Sequence, residues 1–316
     1  MLLNKQKSES NNVFNIGFLL RCAGATLALA CICYIVDLQK LSKAITQANI
    51  SFILSAVFIA VMSPMLTSFR LKLFLSATGT QISYSRCFIA NLCGLSLNLF
   101  LPARGGDLVK LAFLRKNEQP SWGILAGVAL LERGFDVLAL SLLGLAGSLI
   151  LGLHEAAIAT GIISIAATTG LLILPRMRSM PIIGEKAKSF SKVVVEANKR
   201  KVRLLNSFCV CCLCWTANLM IMGLLLKALD GTISITYAFA ITPPSIFAGL
   251  VPVSLWGVGT RDGALAYFLE GITAPEIAIS AGFLYTALVY WLLGLLGTPF
   301  LLFAKRYQKG STPIQN

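Results

Sequence analysis

Leu131-Glu132-Arg133-Gly134-Phe135-Asp136 carries three charges in five residues, inside an otherwise apolar run over 122–150. A charged side chain near the centre of a bilayer costs about 2.5–3.5 kcal/mol on insertion scales. These groups are therefore expected to face protein or a watery cavity rather than lipid. Glu132 and Asp136 are four residues apart and share one helix face. Arg133, Arg104 and Arg261 are their candidate partners. The arrangement reads either as an ion-paired knot that packs helices or as a polar site open to a cavity. Arg21, in another apolar run, is expected to snorkel toward the interface.

Two further groups of charges sit at interruptions in apolar sequence. The first interruption reads Leu101-Pro102-Ala103-Arg104-Gly105-Gly106-Asp107, followed by Leu108-Val109-Lys110. The second contains Pro243-Pro244, then Pro252, Gly257 and Gly259, then Thr260-Arg261-Asp262-Gly263. Pro and Gly at membrane depth free backbone groups that lipid cannot satisfy, so such segments belong where protein buries them or water reaches them. Each copy has an apolar half-helix, a Pro, glycines, an Arg with a nearby Asp and an amphipathic continuation. Segments 87–101 and 237–255 are accordingly expected to be re-entrant helical hairpins, with Pro102, Gly105, Gly106, Pro243, Pro244, Pro252, Gly257 and Gly259 as the breaks. Interrupted segments in corresponding positions of two halves are the sequence mark of an inverted-repeat transporter and of its binding site.

The composition fixes the setting for these residues. Of 316 residues, 56% are hydrophobic and 13% charged, with a mean hydropathy of +0.78. A single soluble core cannot bury that much apolar surface. This excludes a soluble enzyme, a disordered chain and a fibrous repeat. Runs over about 16–36, 50–69, 122–150, 156–175, 204–226 and 277–303 approach the roughly 20 residues that cross the hydrocarbon. The N-terminal run is read as a retained first span, because a signal peptide has a shorter core and a small-residue exit site. The expected fold is an all-α polytopic membrane protein with about six full spans and two re-entrant hairpins in an inverted repeat. Residues 1–316 form one membrane domain. Its first repeat covers about 16–150 and its second about 156–303, with a basic cytoplasmic loop over 176–203.

Charge orients this arrangement. The chain has 27 Lys and Arg against 13 Asp and Glu, for a net charge of +14. With two hairpins and six spans, both termini lie in the cytoplasm, 21 basic residues fall inside and four (Lys40, Lys43, Lys227 and Arg261) outside. The basic excess is explained by the anionic inner leaflet, not by nucleic acid. The loop over 176–203, interrupted by Val193-Val194-Val195, is expected to be either an amphipathic helix on that leaflet or a solvated segment. The cysteines Cys209, Cys211, Cys212 and Cys214 are close in sequence, but the single His154 lies in another segment. Zinc sites use two separated pairs or nearby His ligands, so packing is the expected role and no metal is expected.

The string Leu101-Pro102-Ala103-Arg104-Gly105-Gly106-Asp107, the group Glu132-Arg133…Asp136 and Pro252…Gly257-Val258-Gly259-Thr260-Arg261-Asp262-Gly263 together resemble the transmembrane region of lysylphosphatidylglycerol synthases. The resemblance covers nearly the whole chain and is strongest over about 84–136 and 249–270. It implies a prokaryotic inner-membrane fold with inverted repeats. In two-domain members this region is associated with moving an aminoacylated phospholipid between leaflets, while a separate soluble domain transfers the aminoacyl group. About a dozen residues follow the last span here, so a stand-alone, flippase-like unit is expected. Asp262 stands where the family more often has Glu, and Trp256 sits in the Gly-rich turn; both changes bear on the identity of the head group.

The expected function is movement of a phospholipid or lipid-linked head group between leaflets. Arg104 and Arg261 would hold a phosphodiester as charge-assisted donors. Asp107, Asp262, Glu132 and Asp136 would balance those arginines or receive a cationic head, with Lys110 and Arg133 alongside. Half-helix ends at the breaks would add backbone N–H groups. No nucleotide motif is present and no cofactor is expected. The alternatives are an intramembrane transferase acting on a lipid-linked sugar or aminoacyl donor, and an accessory subunit of a lipid-modifying enzyme. A second copy of the chain is a further candidate partner.

Overall fold

The computed structural model describes residues 46–99, 101, 105–115, 120–173, 176, 193–250 and 257–309, with side chains described as far as Leu301. The expected span over 16–36, together with Arg21, Pro102, Arg104, Pro252 and Trp256, lies outside these residues. All of the regular structure described is helical: α1 (Ile50–Ala77), α2 (Tyr84–Leu97), α3 (Gly106–Val109, continued by a 3-10 turn over Lys110–Leu114), α4 (Trp122–Leu151), α5 (His154–Ile173), α6 (Lys201–Leu229), α7 (Thr236–Gly249), α8 (Thr260–Phe268), α9 (Pro275–Thr286) and α10 (Leu293–Lys309). A π-helical turn over Ala287–Leu292 joins α9 to α10. Among the described residues, five helices are long and apolar enough to cross a membrane: α1, α4, α5, α6 and the stretch Pro275–Leu301. The protein is an integral membrane protein.

Local sequence explains where these helices begin and how they survive their prolines. The Asn49 side chain accepts the Ser51 N–H at 3.0 Å and Ser121 accepts the Ile124 N–H at 3.4 Å, capping α1 and α4. α4 ends at Gly152, whose φ of 69° is the left-handed conformation that closes helices. Pro64 removes the N–H that would bond to Ala60; the Ser63 hydroxyl donates to that carbonyl instead, at 2.8 Å.

Pro243 and Pro244 require a correction of the sequence expectation. They do not break the second segment but lie inside α7, and the chain leaves the helix only after Gly249. The reason is α4. Its Ser148 hydroxyl donates to Ala240 O at 3.2 Å, the carbonyl that Pro244 leaves without a partner. Gly144 and Gly147 make room, since a Cβ at either would come within 2.7 Å of Pro243 or Phe239. Close helix contact through small residues is the usual packing mode in membranes.

In each interrupted segment the helix before the break packs against the residues after it. Gly94 of α2 meets Gly106 and Lys110 of the α3 arm, where a Cβ on Gly106 would sit 2.2 Å from Gly94 O. Gly249 of α7 meets Gly257 and Arg261 in the same manner, with Cβ distances of 3.4 and 3.0 Å. At about 1.5 Å per residue, the 14-residue helices α2 and α7 are about 21 Å long, short of the roughly 30 Å hydrocarbon. The core divides accordingly. One buried cluster joins α1, α2, the 3-10 turn and α4 around Phe74, Leu111, Leu125 and Leu131. The other joins α6, α7, α8 and α9 around Met222, Ile241, Leu265 and Tyr285.

The described part of the basic segment is a helix over 193–199. Val193 and Val194 are buried in the first cluster, and Val193 fits because its neighbour on α4 is Gly127. Arg200 and Arg203 donate to Ala77 O and Ser76 O at 3.1 and 3.0 Å, capping the C-terminal end of α1 with cations.

Candidate functional site

α4 delivers Glu132 and Asp136 to the interior on one face, and both are buried. The cation that meets them comes from α1. Arg70 donates from Nη2 to Glu132 Oε1 and from Nη1 to Asp136 Oδ1, each at 2.5 Å. Lys110, on the returning arm of the first interrupted segment, reaches Glu132 at 3.3 Å and is itself buried. Asp136 also accepts the Trp215 indole N–H at 2.8 Å and the Cys211 thiol at 3.4 Å, both from α6. The cysteine-rich face of α6 thus contributes a thiol to the ionic network.

Arg133 and Asp107 form the outer part of the cluster. Their side chains pair with each other, and Arg133 also lies 3.6 Å from Asp136. Arg133 is the exposed member, with 44% of its side chain accessible. Asp107 belongs to the first turn of α3 and accepts the Asn98 amide at 3.1 Å. Three cations (Arg70, Lys110 and Arg133) therefore meet three carboxylates (Asp107, Glu132 and Asp136). Breaking such a pair by removing one partner costs about 3–5 kcal/mol, because the survivor is left charged in an apolar medium.

A cavity of about 120 Å³ opens on this cluster. Arg70, Lys110, Asp107, Arg133 and Asp136 supply its charged lining. Leu95, Val289, Tyr290 and Leu293, contributed by α2 and by the π turn with the start of α10, supply apolar lining. π turns occur preferentially at functional sites. Trp215, Asn218 and Tyr285 also line it, with the Tyr285 hydroxyl donating to Asn218 Oδ1 at 3.1 Å.

Six of the residues singled out in the sequence thus gather around or against this cavity: Asp107, Lys110, Glu132, Arg133 and Asp136, with Gly106 beside Lys110 at the break. Arg261 and Asp262 form a separate pair. Arg261 donates from Nε and Nη2 to Asp262 Oδ1 at 2.9 and 2.5 Å, and neither residue lines the cavity. Gly257 and Gly259 have φ values of 79° and 91° at the turn that leads into this pair, conformations open to glycine. Arg104, Pro102 and Pro252 lie outside the described residues. Arg70 is the principal residue that sequence reasoning assigned elsewhere. It follows the apolar run 50–69, which by sequence alone leaves it among the inside basic residues, whereas α1 continues to Ala77 and buries it. The signal was its position: one helical turn beyond Thr67, on the face of α1 that also carries the small residues Ala56, Ala60 and Ser63.

The chain is 24% identical over 318 aligned positions to "UPF0104 membrane protein PH1989" of Pyrococcus horikoshii, an alignment that covers 89% of this chain and 95% of the relative. Residues 18–297 match the family described as lysylphosphatidylglycerol synthase TM region. That span contains both interrupted segments and the whole ionic cluster, and the chain belongs to this family.

Proposed function

We propose that the protein moves a phosphate-bearing lipid head group across the cell membrane, using the cavity that opens beside the first interrupted segment. One observation carries this reading: three cations and three carboxylates balance one another around a cavity among helices of membrane-spanning character, with Arg70, Lys110, Glu132 and Asp136 buried and Arg133 at the exposed edge. Charge in such a place is costly and marks substrate pathways in membrane proteins. Arg133 and Lys110 are suited to a phosphate, as fork-shaped and point-charge donors. A phosphate at Arg133 replaces the Asp107 carboxylate, one anion for another, which leaves Asp107 free to receive a cationic part of the head. The interrupted segments act as re-entrant hairpins of an inverted repeat, and the acyl chains stay in the bilayer while the head crosses.

The cavity accommodates about four water volumes, well below the roughly 300–1,000 Å³ of pockets that enclose drug-sized ligands. In this scheme the cavity widens to admit the head group. Opening separates Arg133 from Asp107 at the exposed edge.

The test is translocation of a fluorescent short-chain phospholipid in proteoliposomes, read by quenching from the outer leaflet. Lys110→Gln and Arg133→Gln are expected to lose most of the translocation, while Arg200→Gln, at the end of α1, retains it. Full rates in both cavity variants at equal reconstitution would remove the basis of this reading.

A further inference from the structure

Arg261 is 2% exposed. Besides its bonds to Asp262, Nη2 donates to Gly282 O at 2.6 Å and to Thr286 Oγ1 at 2.8 Å. Nη1 is buried and donates to nothing. An unmade bond of this kind costs about 1–3 kcal/mol, and more on a charged group. Unsatisfied buried donors are rare in native proteins and point to an absent ion, water or ligand. Arg70 repeats the pattern, with a buried Nε that has no partner. Each of these two buried arginines thus has one guanidinium nitrogen without an acceptor. Arg70 lines the cavity and Arg261 does not.

Tyr285 stands between them. It forms part of the cavity wall, and the Arg261 guanidinium carbon lies 5.1 Å from the centroid of its ring. Its hydroxyl is tied to Asn218, so the ring is held as a fixed partition. The environment of Arg261 also suits an anion. α8 begins one residue earlier and directs the positive end of its dipole here. Asp262 occupies only part of that end, accepting the Gly259 N–H at 3.2 Å.

We propose that Arg261 is a second station for a phosphate-type oxyanion, taken at Nη1, and that Tyr285 is the partition a phosphate head passes between this station and the Arg70 cavity. The proposal rests on the translocation reading above and divides the pathway into two binding steps. Phosphate carried by a lipid and free phosphate share the chemistry that Nη1 recognises.

The experiment titrates the full-length chain in detergent with dihexanoyl phosphatidate and, separately, with inorganic phosphate, counting bound anions by native mass spectrometry. The wild type is expected to bind two anions per chain. Arg261→Gln with Asp262→Asn removes a pair without unbalancing charge and is expected to bind one, while Arg133→Gln loses the other. Arg261→Lys, which keeps the charge but lacks the Nη1 branch, gives the same loss should the double variant not fold. Binding of phosphatidate alone at the second station assigns it to a lipid, and equal binding of both probes assigns it to a free oxyanion. A single bound anion in the wild type, a water only at Nη1, or two anions retained in the Arg261 variants overturns the station. If Arg133→Gln still loses its anion in that event, the first site stands without the second. Tyr285→Trp is expected to bind both anions but slow translocation at least tenfold; an unchanged rate overturns the partition.

Discussion

Arg70 and Asp136 meet at 2.5 Å although 66 residues separate them, and this contact ties α1 to α4 across the centre of the fold. The same guanidinium holds Glu132 one helical turn away. One side chain from α1 thus neutralises two carboxylates on α4, and Lys110 approaches Glu132 from the first interrupted segment. Three elements converge on a single charge balance, so the loss of any one member propagates to the others.

Arg70→Leu is therefore expected to destabilise the protein by about 3–5 kcal/mol, the cost of stranding a buried partner. Arg70→Lys retains the charge but cannot span both carboxylates, and is expected to fall between the variant and the wild type. Thermal unfolding in detergent measures both. A melting profile for Arg70→Leu indistinguishable from wild type would show that the cluster is solvated.

The Arg261–Asp262 pair makes a demand of a different kind, on space. A Cβ at Gly282 would sit 2.2 Å from Asp262 Oδ1. Gly282→Ala is expected to displace the carboxylate and cost about 1–3 kcal/mol, the range for overpacking. Gly170, on α5, has nothing within 4 Å of its would-be Cβ. Gly170→Ala is expected to be neutral or slightly stabilising, because Ala is the better helix former. Equal melting temperatures for the two variants would contradict the packing seen around Asp262.

Much of this was legible in the sequence, and what was hidden was hidden for physical reasons. Glu132 and Asp136 declare themselves, since charges amid apolar residues must face inward. The two interruptions are visible through Gly105-Gly106 and Gly257…Gly259. Pro243-Pro244 misleads because the rescue of α7 comes from Ser148, 92 residues from the carbonyl it serves. Arg70 is obscured because a charge at the end of an apolar run looks the same whether the helix stops or continues. The π turn over Ala287–Leu292 leaves no composition signal at all; Ala-Leu-Val-Tyr-Trp-Leu fits an ordinary span.

Asp230, in the turn between α6 and α7, gives a pH-dependent handle outside the spans. Partial burial pushes its pKa up, but the Thr232 hydroxyl and N–H, the Thr273 hydroxyl and the nearby Lys227 outweigh that and hold it below the ordinary value. A carboxylate depressed in the folded state adds stability that is fully present above its unfolded pKa, about 3.9, and is lost as pH falls through the folded value. Thermal stability is expected to drop over that acidic window, and Asp230→Asn to flatten the drop. An identical pH profile for the two proteins would show that the turn contributes nothing.

The same turn decides how the second interrupted segment meets the membrane. The Thr273 hydroxyl donates to Asp230 Oδ2 at 2.9 Å, so the residues before α7 and after α8 lie together at one end of the molecule. Glu155, which opens α5, accepts the Tyr267 hydroxyl at 2.8 Å and so lies at that end too. Lys201 begins the 29-residue helix α6 and lies at the far end, about 43 Å away at 1.5 Å per residue. Single cysteines at Gly231 and Glu270 in a cysteine-free background should accordingly react with an impermeant maleimide from the same side. A cysteine at Lys201 should react only from the other side, which the charge rule makes the cytoplasm. Labelling of Gly231→Cys and Glu270→Cys from opposite faces would mean that α7 and α8 cross the bilayer between them. The inverted pairing of the two segments would then be lost.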